Sequence, residues 1–295
     1  MCRFVYYQGE PIRVSELLTE PVHSLIHQSF HSHERSEPLN GDGFGVGWYV
    51  DADDVPALFR SVSPAWSNTN LREISRVTAS HRILAHVRAA TPGTGVTEAN
   101  CHPFRMPGLA FMHNGDLGGF PLYRRALLES MSDAAFQAVR GTTDSEHLFA
   151  LLWDAWTEQV HDSSGGERSA RSDGAERLAY ALETSLARVL ELWKASGTRD
   201  QIYLNCLVTD GRDALACRFT TDDPARADTL YLHLGKRYTC REGTAVLVPC
   251  PDDLTSVLVS SEPLTPDEDW QPIGVGDLVL ISADQTVRSR EISLS

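Results

Sequence analysis

The chain has 295 residues, enough for one large domain or two smaller ones, each able to bury a hydrophobic core. Its 42% hydrophobic and 22% charged residues are those of a globular protein, not of a disordered or fibrous chain. With 26 Lys plus Arg against 40 Asp plus Glu and no cationic run, the formal charge of −14 argues against nucleic acid as a partner and against docking to an anionic leaflet.

No stretch of 18 apolar residues is present, so no transmembrane helix is expected. The opening Met1 to Pro11 lacks the apolar centre of a secretory leader and breaks at Gly9 and Pro11. Cys2, Cys101, Cys206, Cys217, Cys240 and Cys250 form no C-x-x-C pair and no regular framework, and read as the thiols of a cytoplasmic protein.

In chain order, alternation over the first seven residues predicts a strand with Phe4 and Tyr6 on one face and Arg3, Val5 and Tyr7 on the other. A loop-rich region with short helical pieces follows as far as Asn40. Gly43 to Val50 predicts a strand thinned by Gly45 and Gly47, which implies close approach of another backbone. A strand over Ala57 to Val62, a helix over Asn68 to Thr78, and strands over Ile83 to Ala90 and Leu109 to His113 come next. Two longer helices are expected over Asp144 to Val160 and Ala175 to Ala195, the second with Leu178, Leu182, Leu186 and Val189 at helical spacing. The polar, glycine-rich segment 162–174 between them reads as a mobile surface loop. From Gln201 the chain turns to strands: Ile202–Thr209, Ala214–Phe219, Thr229–Leu234, Ala245–Val248, Ser256–Ser260, Leu278–Ser282 and Val287–Ile292. Helices packed outside two stacked antiparallel sheets accommodate this order.

Several residues carry chemistry. Cys2 follows an initiator Met of the kind trimmed before a small residue; trimming leaves a thiol and an α-amine on one residue, a nucleophile beside a base that titrates near about pH 7.7–8.0. Its structural alternative is a small apolar residue in the first strand. Asn114 and Gly115, in His113-Asn-Gly115, offer an amide and a backbone N–H at one point, two donors suited to an oxyanion. The same dipeptide also suits a hairpin turn. Arg88 stands at the end of an otherwise apolar strand and needs an anionic partner, from the protein or from a ligand. Asp144 either caps the helix it begins or receives a ligand ammonium. Cys101 and His102 are neighbours in an extended segment and point to opposite faces, which makes them a poor catalytic pair. His23, His27 and His31, with His33 close by, are spaced for one helix face, yet no Cys or carboxylate pattern beside them supports a metal site. Gly41 to Gly47 fits neither dinucleotide nor phosphate-loop fingerprints.

Taken together, Met1-Cys2-Arg3, Asn40-Gly-Asp-Gly-Phe-Gly45, His86-Val-Arg-Ala-Ala-Thr91, Asn100-Cys-His-Pro-Phe104, His113-Asn-Gly115 and Thr143-Asp-Ser-Glu146 resemble the ordered motifs of the class II glutamine amidotransferases, a group of N-terminal nucleophile hydrolases. Ser260-Ser-Glu-Pro-Leu264 adds a late match. Within the family the chain is most similar to the stand-alone branch that includes the amidase component of the fungal glutathione-degrading complex. The ergothioneine-pathway γ-glutamyl hydrolase is a related, shorter member.

The resemblance implies an α+β fold, a four-layer αββα sandwich of two stacked antiparallel sheets, formed by one domain over residues 1–295. It implies Cys2 as nucleophile with its freed α-amine as base, and Asn114 with the Gly115 N–H as oxyanion donors. Arg88 is then expected on the substrate α-carboxylate and Asp144 on its α-ammonium, with Thr91 and His102 shaping the pocket. No metal and no organic cofactor is implied. Pro92 follows Thr91 where ammonia-transferring members often have His, and no acceptor domain follows. Both departures favour hydrolysis of a small γ-glutamyl compound over ammonia transfer. The alternatives are a glutaminase subunit feeding a separate synthetase and a catalytically silent glutamine sensor; a peptidase or synthetase subunit is the expected protein partner.

Overall fold

The computed structural model describes residues 2–32, 34, 39–50, 53–91, 93–163, 173–235, 237–241, 244–248, 256–266 and 268–294. Cα proximity divides the chain into two compact units: residues 1–103, 112–114 and 228–273, and residues 104–111, 115–227 and 274–295. Met1, His33, Pro92 and Cys250, which entered the sequence argument, lie outside the described residues, as does 164–172 of the expected mobile loop.

The first unit opens with β1 (Arg3–Arg13), short helices α1 (Ser15–Leu18) and α2 (Leu25–Gln28), β2 (Phe44–Val50), β3 (Asp53–Ser61), α3 (Thr69–Val77) and β4 (Ala79–Val87). The chain continues through β5 (Phe104–Met106), β6 (Leu109–Leu117), α4 (Phe120–Glu129), α5 (Asp133–Ala138), α6 (Asp144–Ser163), α7 (Gly174–Ser196), β7 (Ile202–Thr209) and β8 (Ala214–Thr220). It closes with β9 (Tyr231–Leu234), β10 (Arg237–Arg241), β11 (Thr244–Val248), β12 (Val257–Ser260), β13 (Gln271–Pro272), β14 (Asp277–Ile281) and β15 (Val287–Glu291).

In the first unit a seven-stranded sheet runs β13-β9-β12-β1-β4-β2-β3, beside a separate β10–β11 hairpin. β1 is central, antiparallel to β12 on one edge and to β4 on the other. Val5 and Tyr7 enter a core with Leu17, Leu25 and Leu71 of α1 to α3, and Phe4 and Tyr6 on the opposite face are equally buried. Both faces being covered explains the nearly continuous apolar run. β1 extends six residues beyond the expected strand. Its register shifts between Gln8 and Ile12, and Pro11, which cannot donate to a ladder, falls in that irregular stretch. Asn68 caps α3 by accepting from the Leu71 N–H at 2.8 Å.

In the second unit a six-stranded sheet runs β15-β14-β8-β7-β6-β5, with Met112–Asn114 of β6 grouping with the first unit. The expected helical face of α7 is present: Leu178, Leu182, Leu186 and Val189 are fully buried, sharing a core with Leu148, Phe149 and Leu152 of α6. Asp173 caps α7, and Gly197 ends it in the left-handed conformation at φ 69°. The expected loop therefore shrinks at both ends, since residues 162 and 163 continue α6 and Gly174 already belongs to α7. The sequence reading missed α4, α5, β5, β10 and β13. No helix among the described residues is long and apolar enough to cross a membrane.

Candidate active site

The antiparallel register pairs Arg3 with Val87, so Cys2 and Arg88 are the next positions along β1 and β4. The Cys2 thiol is half-buried and donates to the Ala89 carbonyl at 3.5 Å. Burial pushes the thiol pKa up, while the Arg88 and Arg3 charges act against that rise. The chain entering β2 continues the ladder past the end of β4. Arg88 N–H donates to the Gly43 carbonyl, Asp42 N–H donates to the Arg88 carbonyl, and the Asp42 carboxylate accepts from Ala90 N–H at 2.8 Å.

Arg88 is only 3% exposed. Its guanidinium donates to the Asp42 carbonyl (3.4 Å), Thr94 Oγ1 (3.2 Å) and the Gly95 carbonyl (3.3 Å), all neutral acceptors. No carboxylate among the described residues pairs with it, so within that set the cation is buried without a counter-ion. Such a group stabilises an incoming anion strongly. Thr91, exposed, closes a turn here: its carbonyl accepts from both the N–H and the hydroxyl of Thr94.

The close approach expected at the glycines is real. A Cβ on Gly45 would stand 2.1 Å from the His102 carbonyl oxygen, and one on Gly43 (φ +114°) would meet Cys101 Sγ at 2.7 Å. Cys101 and His102 diverge as expected. Cys101 donates to the Ser61 and Thr97 carbonyls, whereas the His102 ring stacks on His86 at 4.2 Å between centroids. Burial drives the His86 pKa down to about 3 and holds His102 well below the usual imidazole range, so neither carries charge near neutrality. His86 Nε2 lies 3.0 Å from the His113 carbonyl oxygen, which ties β4 to β6 at the residue before Asn114.

β6 corrects one expectation: the strand does not end at His113 but runs through Asn114 and Gly115 to Leu117, so no hairpin turn occupies this dipeptide. Gly115 adopts φ +155°, which L side chains rarely tolerate. Asn114 is buried; Nδ2 donates to Asp228 Oδ2 at 3.3 Å, and Oδ1 has no hydrogen-bond partner among the described residues. An amide nitrogen carries two protons, so one Nδ2–H remains for another acceptor. Asp228 sits in a loop 114 positions away, with nothing local in the sequence to mark it.

In the second unit Asp144 begins α6 but does not cap it. Thr143 Oγ1 accepts from Glu146 N–H at 3.2 Å, and the Asp144 carboxylate accepts from Leu117 N–H and Ser145 N–H, both at 2.7 Å. Asp116, which the sequence reading passed over, is half-buried. Burial, then the Asp144 and Asp200 charges, raise its carboxyl pKa to about 6.

Of the expected site residues, Cys2, Arg88, Thr91, His102 and Asn114 fall in the first unit, and Gly115 and Asp144 in the second. His23, His27 and His31 form a string of ring contacts at 6.1 and 5.3 Å, and His23 faces the Glu262 carboxylate at 3.4 Å. No group of three or more His, Cys, Asp or Glu among the described residues is arranged to hold a metal ion.

Cys2 stands just before β1, the buried Arg88 stands just past β4, and Asn114-Gly115 lies inside the continuous strand β6; comparison with known proteins shows the class to which such a chain belongs. Residues 14–218 match the class II glutamine amidotransferases, and the chain belongs to that family, an amidohydrolase-type enzyme. Over 299 aligned residues it is 36% identical to the probable glutamine amidotransferase DUG3 of Saccharomyces cerevisiae, covering 95% of this chain and 82% of that one. A γ-glutamyl-hercynylcysteine sulfoxide hydrolase of Mycobacterium tuberculosis (strain CDC 1551) is 33% identical over 172 residues, 58% of this chain and 70% of that one. Among solved structures, a class-II domain protein from Silicibacter pomeroyi superposes with a TM-score of 0.66 at 27% identity, covering 99% of this chain and all of that one. The allosteric regulatory enzyme of purine biosynthesis shares the fold at a TM-score of 0.59 and 17% identity, with 100% of this chain matched to 50% of that one. The fold is α+β, of the N-terminal nucleophile hydrolase type.

Proposed function

We propose that this protein is a cytoplasmic γ-glutamyl amidohydrolase that uses Cys2 as nucleophile. The observation carrying the proposal is the buried Arg88, which pairs with no carboxylate among the described residues and stands at the strand position next to Cys2. A substrate α-carboxylate supplies the missing anion, and the amide carbonyl at the far end of the γ-glutamyl chain is offered to the thiol. With Met1 removed, the Cys2 α-amine accepts the thiol proton as sulfur bonds to the δ-carbon. The oxyanion is held by the second Nδ2–H of Asn114 and the Gly115 N–H. The C–N bond then breaks, the amine leaves with the proton from the α-ammonium, and water, deprotonated by the amine, hydrolyses the thioester to glutamate.

In this reading Asp144 receives the substrate ammonium, and Thr91 and His102 bound the pocket. No metal or organic cofactor takes part. The hydrolase name of the mycobacterial relative supports release of a γ-glutamyl group to water. A peptidase subunit is the matching partner, because the product of one hydrolysis is then the substrate of the next. The test is a panel of glutamine, glutathione and simple γ-glutamyl amides on protein shown by mass to begin at Cys2. Glutamate release from γ-linked but not α-linked glutamyl compounds is expected. Turnover that persists in Cys2→Ala overturns the proposal.

A further inference from the structure

We infer that Arg3 and Glu262 form a clamp that positions the nucleophile, a role that rests on the reading of Cys2 above. The β1–β12 register, with Val5 opposite Ser260, sets Glu262 beside Arg3. Ser261 staples this junction by donating its N–H to the Phe4 carbonyl and accepting from Phe4 N–H on its hydroxyl. Arg3 Nε donates to Glu262 Oε1 at 2.8 Å, Nη2 to Ser32 Oγ at 2.7 Å, and Nη1 to the Cys2 carbonyl at 2.9 Å. Ser32 in turn donates to the same carboxylate oxygen, and His23 faces the other. All three guanidinium nitrogens are engaged, so the planar fork cannot rotate. Glu262 is fully buried and Arg3 is 3% exposed.

A buried ion pair is weak evidence for stability, because desolvation offsets much of the attraction. The strand does not depend on it either, since β1 is hydrogen-bonded along both edges. What the pair adds is the bond to the Cys2 carbonyl, the last backbone acceptor before the thiol. A residue that begins a chain is held through one peptide bond, and rotation about its Cα–C bond swings thiol and amine together. Fixing the carbonyl direction fixes both. The anchors, Glu262, Ser32 and His23, come from three separate stretches of the chain, so the reference frame is the folded unit, not the strand alone. The other charged or titratable groups at Cys2, Arg88 just past β4 and Cys101 further along the chain, act on its charge, while their own side-chain hydrogen bonds go to other acceptors.

Three variants test this. Arg3→Lys keeps the charge and loses the fork; Glu262→Gln keeps an acceptor of the same shape; Arg3→Met/Glu262→Leu replaces the pair with apolar volume. Misplacement of a reacting group costs up to about 100-fold, so kcat of Arg3→Lys should fall by roughly 10- to 100-fold with KM for glutamine within about twofold. Glu262→Gln should retain more activity than Arg3→Lys. The double variant should keep its Tm and lose kcat. Alkylation of Cys2 by iodoacetamide, followed on the N-terminal peptide, reads the thiol without turnover and should change rate in Arg3→Lys. Unchanged kcat and unchanged Cys2 alkylation in folded Arg3→Lys, or losses that merely track Tm, overturn the clamp. If Cys2→Ala stays active, the nucleophile reading fails, and the alkylation rate alone decides the clamp.

Discussion

Arg88→Met separates the binding role of the buried cation from a structural one, because the two roles predict opposite signs. Methionine keeps most of the stem volume and removes the charge. The folded protein then loses three hydrogen bonds to neutral acceptors, worth about 1.5–3 kcal/mol each for a charged donor. It also sheds the desolvation of a guanidinium that forms no ion pair with a described carboxylate, a penalty of several kcal/mol. The two effects are of similar size, so Tm should move by no more than about 5 °C. Substrate binding has no such compensation. An α-carboxylate that meets Arg88 in wild type is left buried and unpaired in the variant, about 3–5 kcal/mol, or roughly 150- to 5,000-fold in kcat/KM. The assay compares glutamine with 4-aminobutanamide, the same molecule without its α-carboxylate. Wild type should prefer glutamine by about that factor, and Arg88→Met should show almost no preference. A large loss of Tm with the preference intact would falsify the assignment and make Arg88 a structural residue that holds Thr94 and Gly95.

Three further outcomes are expected. Protein retaining Met1, sorted by intact mass, should be inactive, since an amide nitrogen cannot act as base; Cys2→Ala should fold normally and have no turnover. Asn114→Ala should lower kcat by about 10²–10³ with little change in KM, and equal loss in both would point to a packing role instead. Asp116→Asn should raise Tm relative to wild type above pH 6. The folded carboxyl holds its proton up to about pH 6, so its stabilising contribution is complete below its unfolded pKa and lost as pH rises through the folded one, about 6. The advantage of the variant should therefore shrink between pH 6 and 4, and a Tm difference independent of pH would contradict the burial argument.

The elements that periodicity marked strongly were legible. α7 shows its apolar face in the sequence, and β7 and β8 keep nearly the expected bounds. What escaped had no local signal. β5 has three residues and β13 two; such strands exist only because a neighbour offers an edge. β10 was hidden by polar composition, although Tyr238 is fully buried and donates to the Glu16 carbonyl, a contact spanning 222 positions. β6 was cut short because Asn-Gly is a strong turn signal, and tertiary pairing overrode it.

The candidate site divides along the same line. Cys2, Arg88, Asn114 and Asp144 drew notice because each is chemically out of place in its local pattern: a thiol at the chain start, a charge in an apolar strand, an amide before glycine, an acid at a helix start. Asp228, Glu262 and His86 act at second remove. Asp228 takes one of two Asn114 protons, Glu262 holds the arginine that holds the Cys2 carbonyl, and His86 reaches the carbonyl just before Asn114. Sequence spacing carries no trace of such pairings, which span 114, 259 and 27 positions. They are fixed by register: Arg3 meets Glu262 because Val5 meets Ser260. A one-residue slip of β12 would turn Glu262 to the opposite face and leave Arg3 buried without its partner. The pairing of β1 and β12 therefore sets more than the sheet: it decides whether the Cys2 carbonyl, and with it the thiol, has a fixed direction.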